Sequence, residues 1–301
     1  MTRPLRIALA LATALWPAAL AAQDMRLPVW PGSVRFLVLG DGGTGERAQH
    51  EVAAQMARYR LRFPFTFALM LGDNIYGKER PQDFAKKFER PYKALLDAQV
   101  RFHAALGNHD DPNQRYYTPY NLGGKRYRTF KEGHVRFFVI DSNYLDPEQV
   151  RWLESELKAS GSDWKIAYFH HPLYTTAWRG PEVELRAILE PLFVKYGVDV
   201  VFAGHEHVYE RFKPQKGIHH FTVGGAAKLR RGDTRRGPLT AATFDTDRSF
   251  LLVEVVEDYM YFQAISRTGA VVDEGVIARR REGREAARAL PAPAPAAAAP
   301  R

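Results

Sequence analysis

The sequence predicts an α/β fold, two mixed β-sheets packed as a sandwich and flanked by helices, with a site at the C-terminal ends of strands. Three features carry this prediction. Short apolar runs alternate with helix-period segments from Val34 to Phe202, the pattern of a largely parallel sheet covered on both faces. From Phe221 onward the pattern is β alone, which suggests a second sheet laid on the first. Five of the apolar runs end in a polar cluster, and open α/β sheets place their ligand sites outside those strand ends.

The elements follow in order. Val34 to Leu39 reads as a strand feeding Gly40-Asp41-Gly42-Gly43, and Glu46 to Arg60 as a helix whose apolar positions include Val52, Ala53, Met56 and Tyr59. Phe65 to Leu71 is a strand ending in Gly72-Asp73. Pro81 to Ala98 is helical, with a break expected near Pro91. Phe102 to Leu106 leads into Gly107-Asn108-His109-Asp110. Val135 to Ile140 and Lys165 to Phe169 are strands with a helix from Pro147 to Ala159 between them. Glu182 to Tyr196 is helical, and Val198 to Phe202 leads into Gly204-His205-Glu206-His207. Phe250 to Val256, Met260 to Ile265 and Val271 to Ile277 form a meander.

The ends differ from this middle. Residues 1–22 have the form of a signal peptide: Arg3 and Arg6, an apolar run from Ile7 to Ala18, and the small-x-small site Ala19-Leu20-Ala21. The run is short for a membrane span of about 20 residues, and Pro17 interrupts it. Export to the periplasm or medium is therefore expected, with no membrane span after cleavage. From Arg279 the composition shifts, and residues 281–301 form an Arg-rich then Pro/Ala-rich tail too poor in apolar side chains to order itself. A single domain over 30–280 remains.

Across 301 residues, 43 Lys and Arg oppose 34 Asp and Glu for a net +9, which favours anionic partners. With no cysteine, disulfides, zinc–thiolate fingers, iron–sulfur clusters and a cysteine nucleophile are excluded. Gly40 to Gly45 is neither a Walker loop nor a dinucleotide fingerprint, and no serine nucleophile elbow is present. The clusters at the strand ends offer carboxylates, imidazoles, an amide oxygen and a phenol. Such a sulfur-free O/N set suits iron, manganese, zinc or cobalt, and His205-x-His207 has the spacing to serve two adjacent cations.

Taken together, GDGG (40–43), GDNIY (72–76), GNHD (107–110), FHHP (169–172) and GHEH (204–207) resemble the five-block signature of calcineurin-like metallophosphoesterases. The tyrosine in the second block makes the chain most similar to the small, tartrate-resistant type of purple acid phosphatase. The resemblance implies an αββα catalytic domain and two metal ions. Asp41, Asp73, Tyr76 and His207 would hold iron(III), while Asp73, Asn108, His170 and His205 would hold a divalent iron, zinc or manganese. His109 would stand near the phosphate or leaving group. Asp41, Asp73 and a bound phenolate carry three negative charges against five on the metals. One hydroxide, the implied nucleophile, leaves the site attractive to a phosphate ester.

One departure stands at Arg179, where the resembled enzymes carry a second histidine. A guanidinium can grip phosphate oxygens but cannot shuttle a proton near neutral pH, so Arg179 is expected to bind substrate and His109 to serve the leaving group. His170, rather than His171, matches the H-x-P ligand position. Glu206 is expected to point away from the metals, and Tyr209 and Arg211 to pack. The function expected is an exported phosphomonoesterase, a hydrolase acting on a small phosphate-ester substrate. A phosphodiesterase with two divalent ions and a non-catalytic anion-binding protein are the alternatives. No nucleic-acid partner is expected, and the sequence leaves the oligomeric state open.

Overall fold

Thirteen strands and five α-helices, counted among the described residues, build the chain over residues 25–279 of a computed structural model. The expected signal peptide and the tail lie outside the described residues. Three parallel strands, β1 (Val34–Leu39), β2 (Phe67–Met70) and β3 (Arg101–Ala104), lie side by side and grow in one direction from β1. A meander, β11 (Ser249–Val256), β12 (Tyr259–Ser266) and β13 (Val271–Ala278), adds antiparallel strands to the other edge of β1.

This corrects the expected assignment of the late β segments. They complete the first sheet, in the order β13-β12-β11-β1-β2-β3, and do not build the second. The reason lies in β1: its crossovers all run one way and leave a row of unpaired N–H and C=O groups on the far edge, which β11 covers.

The second sheet comes from the middle of the chain. β5 (Val135–Val139), β6 (Trp164–Phe169), β7 (Val200–Ala203) and β9 (His219–Val223) run parallel. β4 (Arg128–Glu132) flanks them on one side and β8 (Tyr209–Phe212), then β10 (Thr240–Phe244), on the other, each antiparallel to the strand it joins. The periodicity of the sequence had missed β4, β8 and β10. β4 and β10 are only half buried along their length, so neither shows the continuous apolar run of an inner strand.

Aromatic side chains join the sheets. Phe36 of β1 meets Phe137 of β5 edge-on at 5.3 Å, Phe67 of β2 meets Phe137 at 5.5 Å, and Phe221 of β9 meets Phe262 of β12 at 5.1 Å. Such pairs add about 0.5–1.5 kcal/mol each beyond their burial. Helices α4 (Pro147–Ala159) and α5 (Val183–Tyr196) cover the outer face of the second sheet through Leu153, Leu157, Leu189 and Phe193. Asp146 caps α4 by accepting the N–H of Gln149 at 2.8 Å. Over the first sheet, α1 (Arg47–Arg60) buries Val52, Met56 and Tyr59. The expected helix through 81–98 is three short pieces: α2 (Pro81–Phe84), a π-turn at Ala85–Glu89 and α3 (Lys93–Asp97), interrupted around Pro91 as expected.

Candidate metal centre

The strand ends of both sheets meet at one seam. Oxygen donors come from the first sheet: Asp41 follows β1, Asp73 and Tyr76 follow β2, and Asn108 follows β3. Nitrogen donors come from the second: His170 follows β6, while His205 and His207 follow β7.

Glycines let the two sheets approach this closely. A Cβ on Gly204 would stand 2.8 Å from Asp41 Oδ2, one on Gly107 would stand 2.2 Å from the Asp73 nitrogen, and one on Gly72 would stand 2.6 Å from His170 Nδ1. Asp41, Asp73 and His205 all adopt left-handed backbone angles, with φ of 57°, 51° and 67°. For non-glycine residues this costs of order 1–3 kcal/mol each and clusters at functional sites. The loops lock each other in place: Asp41 N donates to Gly72 O at 3.1 Å, Gly204 N to His170 O at 2.9 Å, and His205 N to Asp41 Oδ2 at 2.9 Å.

The donors fall into two groups that share Asp73. In one, Tyr76 OH lies 3.0 Å from Asp41 Oδ1 and 3.3 Å from His207 Nε2, with His207 Nε2 3.3 Å from Asp41 Oδ1. In the other, His170 Nε2 lies 3.3 Å from Asp73 Oδ1, 3.0 Å from Asn108 Oδ1 and 3.1 Å from His205 Nδ1, which is itself 2.9 Å from Asn108 Oδ1.

His170 Nδ1 donates to the Leu71 carbonyl at 2.9 Å, so in the neutral ring Nε2 is a bare lone pair. It faces a carboxylate oxygen and an amide oxygen, neither of which has a proton to offer. Acceptors converging on acceptors fit a cation between them. Burial also favours the neutral rings that a cation would need: it lowers His170 well below the usual imidazole range, His205 to about 2 and His207 to about 4. Burial, then the Asp73 charge, raises Asp41 well above the usual carboxylate range. Burial, then the Asp41 and Asp73 charges, raises the Tyr76 phenol in the same way. Among the described residues no Lys or Arg stands within ion-pair distance of Asp41 or Asp73, and a bound cation would supply that charge.

The other expected residues fall as follows. His109 is exposed, its backbone N–H donates to Asp73 Oδ1 at 3.0 Å, and its ring sits 5.0 Å from that of Tyr76. Arg179 Nη1 donates to the His205 carbonyl at 2.6 Å and stands 3.7 Å from Glu206 Oε2. Glu206 is fully buried with neither oxygen hydrogen-bonded, and burial raises it to about 7. Tyr209 and Arg211 pack against Asp273 of β13, at 2.7 Å each.

Three contributors had not been singled out from the sequence. Asp110 accepts from the N–H groups of Gly107 at 2.8 Å and Ile75 at 3.0 Å, tying the Asn108 loop to the Asp73 loop. Its place inside GNHD was the available signal. Gly224, after β9, supplies a sixth strand end: a Cβ there would stand 2.8 Å from Asp41 Oδ2 and 2.2 Å from the Glu206 carbonyl. Ser142 Oγ accepts the backbone N–H groups of His170 and His171 at 3.2 and 3.1 Å, so its own proton goes to His171 Nδ1 at 2.9 Å. That leaves Nε2–H of His171 free to donate. His171, Asn108, Arg126, Tyr144 and Glu182 line a cleft of about 680 Å³ beside the second donor group.

A two-sheet sandwich whose strand-end donors fit cations, beside an open cleft, defines a metallophosphoesterase. The chain belongs to the calcineurin-like phosphoesterase family, whose profile it matches over residues 34–209, and it is a metal-dependent phosphoester hydrolase of the purple acid phosphatase type. It is 27% identical over 239 residues to Arabidopsis thaliana purple acid phosphatase 17, covering 67% of this chain and 71% of that protein. It is 26% identical over 257 residues to human tartrate-resistant acid phosphatase type 5, covering 70% and 79%. Its fold matches GAP50, the anchor in the inner membrane complex of Plasmodium, with a TM-score of 0.71 at 19% identity over 83% of this chain and 90% of that one. It also matches the purple acid phosphatase PPD1 of yellow lupin with a TM-score of 0.67 at 20% identity over 84% and 55%. Among the described residues, no helix is long and apolar enough to cross a membrane.

Proposed function

We propose that the protein is an exported phosphomonoesterase working through a dinuclear centre. Asp41, Asp73, Tyr76 and His207 hold iron(III), while Asp73, Asn108, His170 and His205 hold a divalent iron, zinc or manganese. The gathering of carboxylate, amide, phenol and imidazole atoms into two clusters, with 3.0–3.3 Å between neighbouring atoms, carries this reading. A metal pair there would polarise the phosphate and acidify a bound water.

The chain's own residues do the rest. Arg179, anchored through the His205 carbonyl, presents its guanidinium to phosphate oxygens. His109, exposed beside Tyr76, hands a proton to the departing alcohol oxygen. The cleft beyond Asn108 takes the alcohol, and His171, held through Nδ1 by Ser142, lines it. Export rests on residues 1–22 of the sequence.

Elemental analysis and an absorption spectrum of the purified mature protein, with a rate on an aryl phosphate, test this together. Two metals per chain including iron, a visible phenolate-to-iron band that vanishes in Tyr76→Phe, and hydrolysis of the ester are expected. Two divalent ions without the band would favour the phosphodiesterase alternative. A metal-replete protein with no hydrolysis would favour the non-catalytic one.

A further inference from the structure

The two sides of the site differ in charge. Beyond Asn108 the cleft carries Asp110, Asp141 and Glu182 against Arg126, which is already paired with Asp141 at 2.7 Å and Asp146 at 2.8 Å. On the His207 side runs the segment Lys228–Arg236, KLRRGDTRR, with five cations and one acid. It is not a remote tail. Lys228 N donates to the Asp41 carbonyl at 3.3 Å and Arg230 N to the His207 carbonyl at 3.0 Å, so the segment is stitched to two candidate ligand residues. Lys228 Nζ lies 4.7 Å over the Tyr76 ring. Arg230 lies 5.5 Å over the ring of Trp178, which is 74% exposed and adjoins Arg179. Arg235 N reaches Thr176 Oγ1 at 3.1 Å, joining the segment to the loop that carries Trp178.

None of Lys228, Arg230, Arg231, Arg235 and Arg236 has an ion-pair partner among the described residues, whereas Arg126, Arg211 and Arg267 all do. Five cations without ion pairs lie in nine residues, with the Lys228 and Arg230 side chains against Tyr76 and Trp178, and like charges so close in the chain gain from an anion placed among them. In the phosphatase reading the scissile phosphate would be held by the metals and Arg179. The segment lies one step further out, where a second anionic group of the same substrate would sit.

We propose that Lys228–Arg236, with Trp178, forms a second anion subsite, and that the preferred substrate carries at least one phosphate group beyond the one being hydrolysed. This rests on the phosphatase reading and specifies its substrate class. The exposed Trp178–Arg230 stack offers a flat face beside that subsite for the part of the substrate that links its phosphates.

The experiment pairs two probes, inorganic tripolyphosphate and an aryl monophosphate, with the double variant Arg230→Ala/Arg231→Ala. A control removes two cations remote from the site, Arg58→Ala/Lys158→Ala. In the metal-loaded enzyme, the ratio of kcat/KM for tripolyphosphate to that for the aryl ester should fall about tenfold in Arg230→Ala/Arg231→Ala and stay level in the control. Equilibrium dialysis of tripolyphosphate against the metal-free full chain should show Kd rising by about the same factor, and rising with salt in the unmodified protein. A ratio and Kd within twofold of the unmodified protein would overturn the subsite. So would equal losses in both variants, which would make the effect one of net charge. Vesicles containing anionic phosphatidylglycerol form a further arm: binding that depends on Arg230 and Arg231 without any change in the tripolyphosphate measurements would assign the segment to a membrane surface and overturn the proposal. Failure of the phosphatase reading itself is separate, since it would appear as no aryl ester hydrolysis by the unmodified protein.

Discussion

The two sheets divide the site by chemistry. The first provides oxygen, as two carboxylates, a phenol and an amide; the second provides imidazole nitrogen. Neither sheet alone offers a complete donor group, because each group takes members from both sides of the seam. A cation placed at either point would therefore tie the sheets together as well as serve chemistry.

The strongest way to break this picture is to remove the shared donor. Asp73→Asn should reduce aryl phosphate hydrolysis by about a thousandfold or more, with metal content falling below two per chain by elemental analysis. Donors belonging to one group should act more selectively: Asn108→Ala would deplete one metal and leave the Tyr76 band in place. An Asp73→Asn enzyme retaining both metals and most of its rate would sink the shared role.

If cations bridge the seam, removing them should loosen it. Chelation is expected to lower the melting temperature by about 10 °C, given ligand-linked stabilisation of a few kcal/mol in a domain of this size. Calorimetry of loaded and chelated protein checks this, and coincident transitions would mean the aromatic core alone holds the sheets.

Smaller effects should separate the two sides of the centre. Arg179→Ala, on the second-sheet side, should raise KM about tenfold with a lesser effect on kcat, as loss of a charge-assisted contact. His109→Ala, on the first-sheet side, should mainly lower kcat, by about a hundredfold. Steady-state kinetics that show the reverse pattern would exchange their roles.

The smallest expected effect concerns one buried histidine on each sheet away from the donors. Burial lowers His103 of β3 and His220 of β9 to about 3, from an ordinary 6.5. The unfolded chain binds a proton on each as pH falls through about 6.5, and the folded chain does not until about 3. Their contribution is thus fully present above pH 6.5 and is lost progressively between about 6.5 and 3. In the chelated protein, His220→Phe should flatten the decline of melting temperature over that interval; an unchanged slope would show that His220 does not couple to folding.

Much of the fold was legible because inner parallel strands announce themselves. Val34–Leu39 and Pro147–Ala159 match their expected limits, one as a continuous apolar run, the other as a capped amphipathic helix. The placement of the late meander was not legible. Val271–Ala278 looks equally like the edge of either sheet: it pairs with β12 within the meander, and the sheet that the meander joins is set by the free edge of β1, which β11 covers. The half-exposed strands Arg128–Glu132 and Thr240–Phe244 lacked a pattern for the same reason: their pairing comes from neighbours.

For the site, residue type and order pointed to Asp41, Asp73, Asn108 and His205, each directly after a glycine at a strand end where a short turn must expose it, while Tyr76, His170 and His207 stood out only as members of the same polar clusters. Sequence spacing cannot report which atoms face which. Only the folded chain shows the His170 ring turned by the Leu71 carbonyl, the His171 ring by Ser142, and Lys228–Arg236 laid along the His207 edge. Side-chain chemistry is written locally, residue by residue. Tautomer, charge environment and neighbourhood arise from contacts between segments far apart in the chain, and these exist only once the two sheets have closed on each other.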